Sequence, residues 1–196
     1  MQPPVVKNVS SDDQDALIDV LMLAFSTDPI SRFGFLHPSQ YLNGMRIIFG
    51  ATAGPSIDGQ GAWLTHGAGA MWLPPGTHVS DDSIEGIFEY LEPSRAETMG
   101  ELLGQMEASH PKEPHWYLNF IGVDTHRQGQ GLGSAVLKAS LVPVDEQGAI
   151  AYLESSNVAN IPLYERFGFE VTGEIQVKDS PVVYPMVRQG KDHSQY

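Results

Sequence analysis

From Val123 to Ser134 the chain reads Val-Asp-Thr-His-Arg-Gln-Gly-Gln-Gly-Leu-Gly-Ser. An apolar run over 116–123 passes into a polar, glycine-dense loop and then directly into a helix. That helix carries Leu132, Ala135, Val136 and Ala139 on its apolar side. The first turn of a helix has backbone N–H groups without helical acceptors and a partial positive charge, so it suits a phosphate. Gly129, Gly131 and Gly133 let the backbone approach an anion with no Cβ in the way. Arg127 and His126 add positive charge nearby.

A dinucleotide-binding turn is the rival reading, since Glu154 falls at about the offset of a ribose-binding acid. Two features oppose it. The polar stretch Asp124 to Gln128 separates strand from glycines, and Ser134 stands where a third glycine belongs. The loop also comes late in the chain, with few strands left to complete a doubly wound sheet.

A second constellation follows at Asn157, Leu163, Tyr164, Gly168 and Phe169. Together with Gln128-x-x-Gly131-x-Gly133 it resembles the two signatures of the GNAT N-acetyltransferases, [Arg/Gln]-x-x-Gly-x-[Gly/Ala] and Asn-x6-Leu-Tyr-x3-Gly-Phe. The C-terminal half is similar to puromycin N-acetyltransferase and its relatives through Trp116-Tyr117-Leu118, His126 to Ala135, Tyr152 to Ser156 and Asn160 to Phe169. Ala24-Phe25, Asp28-Pro29 and Arg32 are compatible with that likeness but less specific.

The resemblance implies an α/β (α+β) fold: a mixed, mostly antiparallel twisted sheet with splayed fourth and fifth strands, flanked by helices. It implies acetyl-CoA as co-substrate. Pantetheine would lie along Ile121, Gly122 and Val123, and pyrophosphate on Gln128, Gly129, Gln130, Gly131, Leu132, Gly133 and Ser134. Asn157 and Asn160 would bind the coenzyme or cap the following helix. The activity implied is acetyl transfer to a primary amine of a small molecule, antibiotic-like or a detoxification substrate. A protein or peptide amine and a non-catalytic acyl-CoA-binding role are the alternatives.

Acetyl transfer needs a neutral amine, a polarised thioester and a proton for the leaving thiolate. The family places a tyrosine hydroxyl at the sulfur, which here is Tyr164. Its phenol, protonated at neutral pH, can donate. Glu154 is the candidate base. The glutamate that many acetyltransferases carry early in the fourth strand is replaced by Tyr117, and His115 is a further candidate. Phe25, Asp28, Arg32 and Trp72 are expected at the acceptor, with Asp28 pairing with a substrate ammonium. Arg166 faces the coenzyme phosphates or solvent.

These groups need a scaffold, and the hydrophobic spacing supplies one. Strands are expected at 5–9, 61–65, 68–73, 116–123, 149–154, 171–177 and 182–187, the last two as a hairpin-like pair. Helices are expected from a Ser10 or Ser11 cap to about Ser26, over 38–49, in two pieces over 81–109, over 131–142 and over 161–167. Pro143 should kink or end the fifth of these. One domain over 1–196 is expected, with 1–80 on the acceptor side and 115–190 as the coenzyme-binding core.

The 196 residues carry a formal charge of −13 and no cysteine. Thiolate catalysis and cysteine-ligated metals are thereby excluded, and no metal is expected. Nucleic acid is an unfavourable partner for so acidic a chain, whereas a protonated amine is attracted. The N-terminus lacks a signal-peptide pattern, and no apolar run reaches membrane-spanning length, so a cytoplasmic location is expected. A homodimer is compatible with this reading.

Overall fold

The computed structural model describes residues 4–190. Short β1 (Lys7–Asn8) leads through a 3-10 turn into α1 (Gln14–Ala24), α2 (Pro29–Gly34) and α3 (Pro38–Asp58). The hairpin β2 (Ala62–Thr65) and β3 (Ala68–Leu73) follows, then α4 (Asp81–Ile84) and α5 (Ala96–Ala108). Next come β4 (His115–Val123), α6 (Leu132–Ser140), α7 (Val142–Glu146), β5 (Ile150–Ser155) and α8 (Ile161–Glu165). β6 (Glu170–Val171) and β7 (Tyr184–Arg188) complete the fold.

The strands form one mixed sheet in the order β1-β2-β3-β4-β5-β7-β6. All neighbours are antiparallel except β4 and β5. Helices cover both faces. On one, Leu17, Ile18, Leu21 and Met22 of α1 and Tyr41, Met45, Phe49 and Ala53 of α3 bury against Leu64 and Met71. The Tyr41 hydroxyl donates to the Met22 carbonyl at 2.6 Å and ties the two helices together. On the other face Val136, Leu137 and Val144 pack with Trp72, Trp116, Leu118, Ala151 and Leu153.

The antiparallel β3–β4 ladder shifts register between Met71 and Trp72, where Phe120 and Leu118 are the successive partners and Asn119 is the extra residue. A bulge bends a strand and increases its local twist. Parallel pairing of β4 with β5 runs only from His115, Trp116 and Tyr117 to Ile150, Ala151 and Tyr152. Beyond that point β4 pairs with β3 alone and β5 with β7 alone. The sheet is therefore split down its middle, as expected.

Several boundaries differ from the hydrophobic reading. No side-chain cap forms at Ser10, whose hydroxyl donates instead to Asp13, and the chain enters α1 through the 3-10 turn. Pro29 starts α2 rather than merely following a helix: Asp28 caps it, accepting from Ser31 N at 2.8 Å, and Pro29 has the φ that a first turn needs. Helix α3 runs past Phe49 to Asp58, because Thr52, Ala53 and Ser56 continue the buried stripe despite Gly50, Gly54 and Pro55. Pro143 divides the crossover into α6 and α7. Residues 171–177 form no long strand. After Val171 there is one bridge, Ile175 to Val183, and then a turn at Lys178 in which Val177 N bonds Ser180 Oγ. Ile175, Val177 and Val183 are instead buried beneath Met99 and Leu102 of α5.

Phe25, Phe49 and Phe120 meet edge to face, with centroids 4.9–5.6 Å apart, where α3 and the α1 exit cross β4. Phe49 is fully buried. Phe49→Ala is expected to lower unfolding free energy by about 3–5 kcal/mol, read as a lower denaturant midpoint at constant slope. Phe88→Ala, at an exposed position, should stay within about 0.5 kcal/mol of the parent.

Candidate active site

A cleft of about 510 Å³ occupies the split between β4 and β5. Leu118, Asn119, Ile121, Gly122 and Val123 form one wall, and Leu153, Glu154, Ser155 and Ser156 form the other. Gly122 admits the α1 exit: a Cβ there would lie 2.5 Å from Ala24 Cβ and 3.1 Å from the Phe25 ring.

The glycine loop closes one end. Asp124 turns the chain out of β4 by accepting from His126 N at 3.0 Å. Gly129 and Gly131 take φ of 75° and 78°, left-handed values that strain other residues. Gly131 is the N-cap of α6, and its carbonyl takes the Ala135 N–H at 3.0 Å. The N–H groups of Gln128 to Ser134 donate to no protein acceptor among the described residues. Gly133 packs tightly, with its Cβ position 3.3 Å from Val123. Seven free amides, three glycines and a helix N-terminus fit a diphosphate. Of the expected coenzyme residues, Ile121, Gly122, Val123, Gln128, Gly129, Gly131, Leu132, Gly133 and Ser134 line the cleft, while Gln130 is exposed outside it.

Asn157 caps the 3-10 turn before α8, its Oδ1 accepting from Ala159 N at 3.0 Å. Asn160 precedes α8 without a side-chain cap bond, so its amide stays free at the cleft. Pro162 lies in the first turn of α8, which brings Tyr164 to the wall of the cleft. The Tyr164 hydroxyl has no protein partner among the described residues. Burial, and then the nearby charge of Asp28, hold that phenol protonated well above its usual range. Arg166 lines the cleft and donates to Pro162 O at 2.9 Å. Arg127 lines it too, its side chain laid across Gly67 and reaching His66 O.

The opposite end is acidic. Glu154 reaches the cleft from β5 with a side chain only 2 % exposed. Asp28 lines the cleft beside Phe25; its Oδ1 caps α2, and its Oδ2 accepts from Ser156 Oγ. The Asp28–Ser156 bond joins the N-terminal segment to the end of β5.

Two acceptor residues expected from the sequence lie elsewhere. Trp72 points to the α6 side of the sheet and is sealed in the core with Val136 and Trp116. Strand alternation puts Met71, not Trp72, on the α1 and α3 face. Arg32 sits over the Tyr41 ring, 5.4 Å from its centroid, and donates to Leu36 O. The hydrophobic pattern leaves a gap at this position, whereas α2 carries Arg32 toward Tyr41. The cleft residues Asn119 and Ser156 escaped sequence reading. So did His110, whose Nε2 lies 3.3 Å from Glu154 Oε1 and is joined only through tertiary packing.

A split mixed sheet with an amide cradle at the mouth of the split defines the class of α/β acetyltransferases. The sequence profile of the acetyltransferase (GNAT) family matches residues 68–169, and the chain belongs to that family. A mycothiol acetyltransferase of Mycobacterium leprae is 33% identical over 126 residues, covering 56% of this chain and 37% of that protein. An uncharacterized N-acetyltransferase of Schizosaccharomyces pombe is 25% identical over 118 residues, 51% of this chain and 46% of the other. The matched stretch thus spans less than half the length of these relatives. Among solved structures, a histone acetyltransferase HPA2 and related acetyltransferase from Corynebacterium glutamicum superposes with TM-score 0.71 at 24% identity, over 97% of this chain and 98% of the other. A Drosophila melanogaster polyamine N acetyltransferase gives TM-score 0.71 at 14% identity, over 95% and 99%. These likenesses establish the fold. No helix among the described residues is long and apolar enough to cross a membrane.

Tyr41, Tyr117, Tyr152 and Tyr164 are all held protonated above the ordinary phenol range, first by burial. A folded-state value above the unfolded one means that the native chain binds more protons once pH exceeds about 10. Stability is then complete below about pH 10 and falls as pH rises further. An alkaline titration followed by phenolate absorbance and far-UV dichroism should show these phenols ionising together with unfolding. Ionisation of all seven tyrosines near pH 10 with unchanged dichroism would contradict their burial.

Proposed function

We propose that the chain is an N-acetyltransferase that moves the acetyl group of acetyl-CoA directly to the primary amine of a small molecule, both substrates being held in one ternary complex. The observation that carries this reading is the polarity of the cleft. Free amides, Arg127 and Arg166 stand at one end, and Glu154 and Asp28 at the other, with Tyr164 on the wall. Acetyl-CoA supplies the activated acyl group. Gln128 to Ser134 hold its diphosphate, Ile121 to Val123 offer strand backbone to its pantetheine, and Asn160 offers an amide. Proximity of the two substrates then provides much of the rate.

The acidic end draws in a protonated amine. Asp28 orients the ammonium and Glu154 accepts its proton, which frees the nitrogen lone pair to attack the thioester carbonyl. The C–S bond breaks as the tetrahedral intermediate collapses. Tyr164 protonates the departing sulfur and recovers a proton when the product ammonium is neutralised. A small acceptor is favoured because Ala24, Phe25, Thr27 and Asp28 close over the cleft and Asp28 is bonded across it to Ser156. The matched mycothiol acetyltransferases and the polyamine and arylalkylamine N-acetyltransferases of similar fold are also named for small acceptors. In this reading the chain is one domain, in the cytoplasm, and a homodimer is compatible with the same fold.

The test is a thiol-release assay with acetyl-CoA against puromycin, tryptamine, agmatine and an N-terminal alanine peptide. Turnover is expected with a small amine and not with the peptide. Tyr164→Phe should reduce kcat by about 10²–10⁴-fold and leave coenzyme affinity in calorimetry unchanged. Full activity in that variant would remove Tyr164 as the acid. Coenzyme binding without thiol release from any amine would favour a non-catalytic acyl-CoA-binding module. Asp28→Asn keeps the helix cap, because asparagine caps as well as aspartate. It should raise KM for the amine with kcat nearly unchanged; an unaltered KM would place the ammonium elsewhere.

A further inference from the structure

Trp116, Leu118, Ala151 and Leu153 face the core under α6. His115, Tyr117, Tyr152 and Glu154 alternate with them along the paired strands β4 and β5 and therefore share the other face. His110, just beyond α5, enters this group. Its ring centroid lies 4.6 Å from that of Tyr117 and 4.4 Å from that of Tyr152. Its Nδ1 is 3.0 Å from His115 Nε2, and His115 Nδ1 is 2.8 Å from the Glu113 carbonyl oxygen.

With both rings neutral, these contacts order the hydrogens. A carbonyl oxygen only accepts, so His115 Nδ1 carries a hydrogen and donates to Glu113. In the neutral ring Nε2 is then the acceptor, and His110 Nδ1 must be its donor. That tautomer leaves the lone pair of His110 on Nε2, the nitrogen 3.3 Å from Glu154 Oε1. Oε1 itself is buried and makes no hydrogen bond of ordinary length among the described residues, although the Tyr117 and Tyr152 hydroxyls also interact with the Glu154 carboxylate as hydrogen-bond donors. A buried carboxylate oxygen in that condition calls for an explanation. A proton placed between Oε1 and Nε2 would satisfy both atoms.

We propose that Glu154 and His110 work together as the base: the carboxylate takes the proton from the substrate ammonium and hands it to Nε2 of His110, which His115 keeps in the receiving tautomer. This inference rests on the reading of Glu154 as base given above. The N–H bond of the ammonium breaks and its electron pair stays on nitrogen. The proton bonds first to a Glu154 oxygen and then to Nε2, so the carboxylate is restored and His110 becomes imidazolium. That cation lies between a carboxylate and the lone pair of His115, both of which stabilise it. After product leaves, His110, whose side chain is 18 % exposed, returns the proton to solvent. His110 acts through Glu154, and His115 positions His110.

The other groups near this pair do not compete for the proton. Tyr117 and Tyr152 stay neutral, since burial and the adjacent Glu154 charge raise both phenols. Glu107, on the last turns of α5, adds a negative charge within range of the two phenols. The exposed Glu113 enters through its backbone carbonyl.

The direct test needs no acceptor. Side-chain ¹⁵N–¹H spectra of the full chain should show His115 with its hydrogen on Nδ1. In the same spectra neutral His110 should carry its hydrogen on Nδ1 and leave Nε2 bare. A hydrogen on Nε2 of the neutral His110 ring would overturn the proposal. The kinetic arm uses the panel amine turned over fastest. In His110→Gln no imidazole receives the proton, so kcat should drop about tenfold or more while KM for acetyl-CoA stays unchanged. Wild-type kcat in Glu154→Gln would sink the assignment of Glu154 and the pair with it. A slow Glu154→Gln beside a His110→Gln kcat equal to wild type would sink the pair alone. Should His110→Gln fail to fold, the spectra still decide, since they are read on the unsubstituted chain.

Discussion

The parting of β4 from β5 after Tyr117 and Tyr152 is the constraint on which the site depends. Two parallel strands that stayed paired would satisfy each other's backbone and leave no room between them. The bulge at Asn119 turns β4 away while its antiparallel bonds to β3 persist, so the strand loses one partner and keeps the other. The exposed edge then faces a cleft instead of a neighbour. An extended ligand with amide groups of its own can replace the missing ladder without disturbing either half of the sheet. Both halves remain anchored, because separate hydrophobic clusters cover the two faces.

The split also sorts charge. Residues that follow β4 arrive at the mouth as free N–H groups, a positive end built from backbone, with Arg127 and Arg166 as its side-chain complement. Residues at the end of β5 and at the exit from α1 supply carboxylates. A chain of net charge −13 can seat a polyanionic coenzyme because the cradle uses peptide dipoles, which are fixed by geometry and do not depend on overall charge. In the proposed reaction the acidic remainder attracts a cationic acceptor.

Much of this was legible in the sequence because it is local. Strand, glycine loop and helix follow one another without interruption from Trp116 to Ser140, and the positive φ of Gly129 and Gly131 is what their residue type permits. Asn157 and Pro162 likewise announce the start of α8. Features set by non-local packing were not legible. Trp72 reads as well on either face of a strand, and only the register of β3 against β2 and β4 sends it beneath α6. Arg32 falls outside the cleft because Asp28 and Pro29 start a helix where the hydrophobic pattern shows only a gap. The segment after Val171 has strand-like residues, but α5 offers them a better burial than a lengthened hairpin does. His110 lies five positions before His115, a spacing without meaning until the loop after α5 folds the two rings together.

The distribution of these parts along the chain bears on how the acceptor is chosen. The proposed cradle, acid and base all lie between the end of α5 and α8, inside the stretch that matches the family, 68–169. Glu154 and Tyr164 hang on one short connection between β5 and α8, so their separation is set locally. Ala24, Phe25, Thr27 and Asp28, which close the cleft on its acceptor side, lie outside that stretch. They are held to the rest by the Asp28–Ser156 bond and by the packing of Phe25 on Phe49 and Phe120. In the proposed reaction, changes in the segment between α1 and α2 reshape the acceptor pocket while the geometry of acyl transfer stays fixed. That division is a physical reason for a likeness concentrated in the C-terminal half, where the coenzyme demands the same contacts whatever the amine.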